Sequence, residues 1–259
     1  DDEVRVIMET TGIYHLPVLS YLKEKGFFVA VINPFEMKEY RCQGLRFVKT
    51  DKQDAITISN YGIDHWYRLR EYEAEESSYA ELKLLGRQYR HYMRMRVESM
   101  LELTHLLDYT MPGIKTLLKG WNETNGKEKL GDFVEEYWHY DNITKKSEEQ
   151  FIGGYLKWAK EKEYHQSQEK AVKIYALAKE GIPTVSSDTP STKMLVQEAV
   201  RVLREVDNTL MTILTQMQTL AKSLPEYPVV RAMGGVGNVL APKLIAEIGD
   251  VRRFHSGKA

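Results

Sequence analysis

Two aspartates near the start of a predicted helix have the spacing that best suits chemistry in this chain. Thr50, with Gln53 three residues later, fits a capping box in which Thr50 is the N-cap. Asp51 and Asp54 then lie on one face of the first helical turn. Two carboxylates held side by side could share a divalent metal ion and meet a phosphate. The helix dipole alone also favours aspartate in a first turn, so the spacing leaves both explanations open.

The elements that position these carboxylates form a predicted βαβ unit. A buried strand is predicted over residues 4–8, a helix over 14–25 and a second buried strand over 27–32. This order and spacing predict parallel strands. Ligands of open parallel sheets lie outside the carboxyl ends of the strands, and Glu9 follows the first strand directly. Glu9 is therefore a candidate third carboxylate; a surface glutamate beside a turn is the alternative.

A long amphipathic helix is predicted after residue 72, where strand signals almost disappear. Residues 82–107 carry an apolar stripe at spacings of three and four. On the same helix Arg87, Arg90 and Arg94 share a face that also holds tyrosine. Arginine interleaved with tyrosine suits phosphate binding and base stacking. A solvated face of a long helix explains the cluster equally well.

The region between residues 108 and 190 is predicted to be a helical insertion. Residues 120–129 are predicted to form a polar loop, and residues 133–158 carry many aromatic side chains at roughly helical intervals. These aromatic residues indicate a small helical core rather than a base-stacking platform. Residues 181–190 are predicted to be a linker.

A second long helix has the most regular apolar periodicity of the chain. Over residues 196–224, steps of three and four repeat for about four heptads, which predicts a coiled-coil seam. The partner could be the 82–107 helix of the same chain or a second subunit. We favour a second subunit, since the 108–190 insertion could keep the two helices from meeting as a simple hairpin. The sequence thus predicts a homo-oligomer.

A glycine-rich turn, Gly-Gly-Val-Gly at residues 234–237, lies between two short predicted helices. This pattern indicates a helix-hairpin-helix, in which Gly235 and Gly237 let backbone N–H groups approach a phosphate. Arg252 and Arg253 add positive charge nearby. The alternative is an ordinary tight turn between helices.

Composition limits the classes of protein that this chain can belong to. Among 259 residues the net charge is −1, which excludes a uniformly basic coat and requires any nucleic-acid surface to be a local patch. The single cysteine, Cys42, excludes an internal disulfide and suits a reducing cytosol. The longest apolar run, residues 27–32, is far too short to span a bilayer. The sequence contains no Walker A motif, zinc-ligand spacing or Gly-x-Ser-x-Gly elbow.

Three parts of the sequence together resemble one family. They are residues 9–14 (ETTGIY), then 31–34 (VINP) with 49–55 (KTDKQDA), and finally 234–237 (GGVG) with 247–254 (EIGDVRRF). This order resembles the DEDD transposases of bacterial insertion sequences, which are described as bridge-RNA-guided recombinases. The resemblance spans nearly the whole chain.

The resemblance implies an RNase H-like (RuvC-like) domain with four acidic residues, then a coiled coil, then a second domain that supplies a serine. Glu9 matches the glutamate of the family, and Asp51 and Asp54 match its last two aspartates. These residues are implied to be catalytic and to hold Mg²⁺ or Mn²⁺. The first aspartate of the family is not matched, and Ser256 is not the counterpart of its serine. We therefore expect a fragment that does not cleave DNA by itself.

The implied activity is DNA strand cleavage and exchange during transposition, in a bacterial cytoplasm. The partners that the resemblance implies are DNA and a guide RNA that is encoded by the element and selects the target by base pairing. A Holliday-junction resolvase shares the RNase H-like fold and carboxylates but acts without a serine. A non-catalytic nucleic-acid-binding scaffold protein is the other alternative.

The predicted architecture is α/β plus α in five parts. They are a partial RNase H-like catalytic domain (1–71), a long helix with a basic face (72–126), a helical insertion with a linker (127–189), a coiled-coil helix (190–224) and the helix-hairpin-helix start of a second domain (225–259). The candidate nucleic-acid contacts in these parts are Lys49, Lys52, Arg87, Arg90, Arg94, Gly235, Gly237, Arg252 and Arg253.

Overall fold

The computed structural model describes residues 3–10, 12–42, 50–73, 77–118 and 120–253, apart from the side chains of Cys42 and Arg253. The chain divides into two compact units, Asp1–Glu75 and Glu76–Ala259. Helices dominate the described residues, and the strands form two small sheets. None of the described helices combines the length and the apolar character that crossing a membrane requires.

The first unit is built on two parallel strands joined by a helix. Its elements are β1 (Arg5–Glu9), α1 (Leu16–Glu24), β2 (Phe28–Ile32), α2 (Pro34–Cys42) and α3 (Asp51–Asp64). Strands β1 and β2 pair in parallel, with Glu9 opposite Ile32 at the end of the register. The predicted βαβ unit is confirmed, and Glu9 lies at the carboxyl end of its strand.

Local chemistry determines how α3 begins and how closely it packs. Thr50 has extended backbone angles, and its Oγ1 accepts a hydrogen bond of 3.2 Å from the Gln53 backbone N–H. The predicted N-cap is therefore confirmed. Further along α3, Gly62 is buried against β1, where an added Cβ would overlap the side chain of Ile7. The absence of a side chain at Gly62 lets the helix approach the strand closely.

The second unit consists of two long helices, an insertion between them and two short helices after them. The helices are α4 (Ser77–Thr110), α5 (Ile114–Leu117), α6 (Lys129–Glu136), α7 (Asp141–Thr144), α8 (Glu148–Glu161), α9 (Gln168–Glu180), α10 (Pro190–Lys222), α11 (Tyr227–Ala232) and α12 (Leu240–Ile248).

A small antiparallel hairpin lies between α5 and α6, where the sequence predicts a polar loop. It consists of β3 (Trp121–Asn122) and β4 (Lys127–Glu128). The Asn122 carbonyl accepts a hydrogen bond of 2.7 Å from the Gly126 N–H, and Gly126 has a φ of +67°. The loop expectation is wrong because this tight turn, which needs a residue at positive φ, brings the two short strands together.

Helices α4 and α10 pack against each other along the predicted apolar seam. Leu82, near the start of α4, is buried in one cluster with Leu210 of α10. Leu103, near the end of α4, is buried in another cluster with Leu203. The pair is therefore antiparallel and lies within one chain. The expectation that this seam joins two subunits is wrong: the insertion does not separate the helices, because it packs beside Leu103 and Leu203 at one end of the pair.

The aromatic residues of the insertion form a compact interior. The Phe133 ring centroid lies 6.1 Å from that of Tyr155 and 5.5 Å from that of Trp158, both in edge-to-face arrangements. All three side chains are buried together with the apolar residues of α9. The expectation of a small helical core is confirmed, since these rings are not accessible for base stacking.

Candidate carboxylate site and nucleic-acid interface

Glu9 and Asp54 meet at one guanidinium nitrogen in the first unit. Arg41 Nη2 lies 2.9 Å from Glu9 Oε2 and 3.6 Å from Asp54 Oδ1. Glu9 comes from the carboxyl end of β1, Asp54 from the first turn of α3 and Arg41 from the last turn of α2. Two of the three carboxylates that the sequence singles out are therefore brought together, at the edge where parallel sheets bind ligands.

The remaining sequence candidates of this unit lie at the start of α3. Asp51 is the first residue of the helix and is exposed, as is Lys52 beside it. Asp51 shares the first turn of α3 with Asp54, so the two carboxylates project from neighbouring positions on the helix. Lys49 lies outside the described residues.

The chemistry of this donor set suits a hard divalent cation. Glu9 and Asp54 offer carboxylate oxygens, the ligands that Mg²⁺ and Mn²⁺ prefer. Their side chains are 21% and 34% exposed, so solvent reaches both. Within the part of the chain that the structure describes, no three Asp, Glu, His or Cys side chains are grouped as a metal site. Arg41 instead supplies the positive charge between the two carboxylates.

Sequence reasoning missed Arg41. It lies 32 residues from Glu9 in the chain, and only the end of α2 places it beside the strand edge. Its own neighbourhood in the sequence is polar and shows no periodicity that would single it out. A tertiary contact alone reveals its role.

The glycine turn of the second unit presents an open surface. Gly235 has a φ of +81°, which only glycine adopts without strain. An added Cβ would meet no atom within 4 Å at Gly235 or at Gly237. Gln218 of α10 donates a hydrogen bond of 3.2 Å to the Asn238 carbonyl and so fixes the far side of the turn. The turn lines a cavity of about 680 Å³ that also includes Lys243.

The basic candidates of the second unit differ in how far their charge is already paired. Arg87 and Arg94 are exposed on α4. Arg90 is also exposed but forms an ion pair with Glu247 of α12. Arg252 pairs with Asp250 at 2.9 Å. The side chain of Arg253 lies outside the described residues.

Arg96, two residues after Arg94, points into the protein rather than to its surface. Its Nη2 lies 2.6 Å from Glu128 Oε2, and its Nε lies 2.7 Å from Asp207 Oδ1. The guanidinium also stacks over the Trp121 ring at 4.1 Å. Arg96 is thus an internal counter-ion and does not belong to the basic face of α4.

Comparison with models of protein families gives a match to the first part of the chain. The family model of DEDD transposases of the IS110 type, described as a transposase, matches residues 1–112. No curated protein matches the chain. The matched part contains the parallel strands and all three candidate carboxylates, Glu9, Asp51 and Asp54. Residues 1–112 of this chain are therefore similar to the DEDD transposases of insertion sequences, of the IS110 type.

Proposed function

We propose that the chain takes part in metal-dependent cleavage and exchange of DNA strands, with an RNase H-like catalytic region at its N-terminus. The observation that carries this proposal is the meeting of Glu9 and Asp54 on one guanidinium nitrogen, at the carboxyl end of a parallel strand pair. The site lies inside the part of the chain that matches a transposase family.

The roles of the residues follow from their positions. Glu9 and Asp54, with Asp51 one turn of helix away, would hold Mg²⁺ or Mn²⁺ through carboxylate oxygens. The bound ion would orient the scissile phosphate and stabilise the charge that develops on it. Lys52, exposed beside Asp51, supplies a cation for the flanking DNA phosphates.

The second unit supplies the proposed nucleic-acid contacts. The turn between α11 and α12 acts as a helix-hairpin-helix, whose open side at Gly235 and Gly237 admits a phosphate to the backbone N–H groups. Arg87 and Arg94 extend this interface along α4 by binding phosphates. A guide RNA that selects the DNA target fits the same interface, because phosphate contacts are independent of base sequence.

Binding of Mn²⁺ by the full chain tests the carboxylate site. Titration followed by the electron paramagnetic resonance signal of free Mn²⁺ should show one site in the wild type. Glu9→Gln and Asp54→Asn should each weaken binding by at least about tenfold, since each removes one anionic ligand. Glu39→Gln, which removes an exposed carboxylate of α2, is the matched control and should leave binding unchanged. Equal affinities for all four proteins would contradict the proposal.

Binding of fluorescently labelled DNA tests the glycine turn. Gly237→Val places a side chain in the open space in front of the turn and should weaken binding to double-stranded DNA. Gly153→Val, at an exposed helical glycine with equally open space, is the control. The same affinity for Gly237→Val and the wild type would exclude the turn from the interface. Competition by unlabelled RNA then shows whether one surface serves both nucleic acids.

A further inference from the structure

We propose that Arg41 is a positioning residue of the carboxylate site: it holds Glu9 and Asp54 together and must leave before a divalent cation binds. This inference rests on the proposed function of the same site. Arg41 is an internal counter-ion that holds the two carboxylates in place and at the same time lowers the affinity of the site for metal.

The contact geometry shows why the guanidinium and a cation exclude each other. A single nitrogen, Nη2 of Arg41, contacts both Glu9 Oε2 and Asp54 Oδ1. A metal ion that bridges the two carboxylates requires the same space between those oxygens. Two positive charges would also repel each other strongly at that distance. One of the two cations must therefore be absent when the other is bound.

The arginine is placed by the fold rather than by a strong ion pair. Tyr40, the neighbour of Arg41 on α2, donates a hydrogen bond of 2.5 Å to Asp64 Oδ2 of α3. Tyr61 of α3 donates one of 3.0 Å to Glu36 Oε2 of α2. These two hydrogen bonds hold α2 against α3. The backbone of Arg41 is therefore held beside α3 by contacts that do not involve its guanidinium, and only its side chain has to move when a cation binds.

Arg41 binds the two carboxylates with only part of its guanidinium, so a cation can displace its side chain. Both contacts use one nitrogen, so the paired two-nitrogen geometry that makes arginine–carboxylate contacts strong is missing. Arg41 Nε is buried and has no hydrogen-bond partner among the residues described. A buried donor without a partner destabilises the bound position of the side chain. A divalent cation with two carboxylate ligands can therefore replace it.

Mn²⁺ titration of the 259-residue chain tests the inference. Arg41→Gln removes the competing charge and should lower the apparent Kd for Mn²⁺ by about tenfold, or about 1.4 kcal/mol. Lys38→Gln removes an exposed charge from the same helix and should change the Kd by less than about twofold. An Arg41→Gln protein with the Kd of the wild type, or a higher one, would overturn the inference.

Comparing Mn²⁺ binding among the variants distinguishes failure of this inference from failure of the proposed function. If Asp54→Asn abolishes Mn²⁺ binding while Arg41→Gln matches the wild type, the metal site stands and only the role of Arg41 fails. If neither the wild type nor Arg41→Gln binds Mn²⁺, the metal-dependent function itself fails.

A measurement on the unaltered protein removes any dependence on whether Arg41→Gln folds. Phenylglyoxal modifies guanidinium groups that are free of carboxylate contacts, and mass spectrometry locates the modified residue. Saturating Mn²⁺ should raise the modification rate of Arg41 several-fold and leave that of exposed Arg87 unchanged. A rate at Arg41 that does not change with Mn²⁺ would overturn the inference.

Discussion

Arg96 Nε donates a hydrogen bond of 2.7 Å to Asp207 Oδ1 and so joins α4 to α10 across 111 residues of chain. The same guanidinium binds Glu128 at 2.6 Å, and all three side chains are less than 10% exposed. Apolar seams tolerate sliding by one heptad, whereas a buried charge requires its partner at one position. We infer that this network determines the register of the two long helices and ties the β4 strand to them.

Removing the Arg96 guanidinium should destabilise the second unit strongly. Arg96→Met leaves two buried carboxylates without their counter-ion and should lower the free energy of unfolding by about 3–5 kcal/mol. Arg94→Met removes an exposed arginine of the same helix and should cost less than about 0.5 kcal/mol. Urea unfolding followed by circular dichroism measures both. Equal midpoints for the two variants would show that the network contributes nothing to stability.

Asp207 should make the stability of the protein depend on pH. Burial raises the pKa of Asp207 from 3.8 to about 6, against the opposing effect of Arg96. Between these two values the folded protein keeps a proton that the unfolded chain has lost. The stabilisation from this group is therefore complete below about pH 4 and is lost as the pH rises through about 6.

The Asp207→Asn variant isolates this contribution, because asparagine does not titrate. The free energy of unfolding of the wild type should fall relative to that of Asp207→Asn between pH 4 and pH 7, by at most about 3 kcal/mol. Urea unfolding at several pH values checks the sign. A difference that is constant, or that grows in favour of the wild type with rising pH, would contradict the raised pKa.

The seam residues should act on folding rather than on association. Leu210 is fully buried within the single chain, so Leu210→Ala should lower the free energy of unfolding by about 2–5 kcal/mol. Val202 on the same helix is 45% exposed, and Val202→Ala should cost less than about 1 kcal/mol. Aspartate at both Leu203 and Leu210 should unfold the second unit. If the wild type were a dimer and the double variant a folded monomer, the seam would instead join two subunits.

The close approach of α3 to β1 should be sensitive to a single methyl group. Gly62→Ala forces the Ile7 side chain to move, and such overpacking costs about 1–3 kcal/mol, more than the helical preference of alanine returns. Gly153→Ala, at an open position of α8, should instead stabilise the protein by up to about 1 kcal/mol. Thermal unfolding compares the two. A stabilising Gly62→Ala would mean that α3 is free to shift away from the strand.

Local patterns predict the parts of the candidate site that depend on nearby residues. The cap at Thr50 needs only its own hydroxyl and the N–H of Gln53, so four residues of sequence contain the information. Glu9 lies at a strand end because the apolar run before it stops there. Arg41 and Arg96 could not be predicted in this way, since the carboxylates they contact lie far away in the chain.

Apolar periodicity could not predict which helix covers the seam, again because the partner lies far away in the chain. Steps of three and four specify that a helix face is buried, and they carry no information on which helix covers it. The partner follows instead from where the insertion packs. Because its aromatic core lies against Leu103 and Leu203 at one end, the two long helices meet along the rest of their length.

Because α4 and α10 are antiparallel, the segment that they enclose, including the insertion, begins and ends at the same end of the helix pair. Tyr79 Oη, at the start of α4, lies 2.8 Å from both carboxylate oxygens of Glu226, which is 147 residues later and follows α10. Tyr79 and Glu226 therefore hold the start of α4 next to the segment that follows α10. The hairpin between α5 and α6 returns from the other end of the helix pair, because its Glu123 binds both Tyr89 of α4 and Lys243 of α12. The same segment lines the cavity of the glycine turn. Lengthening the two long helices by a heptad would therefore break these contacts unless the hairpin changed as well, so the lengths of the helices and of the hairpin are linked in evolution.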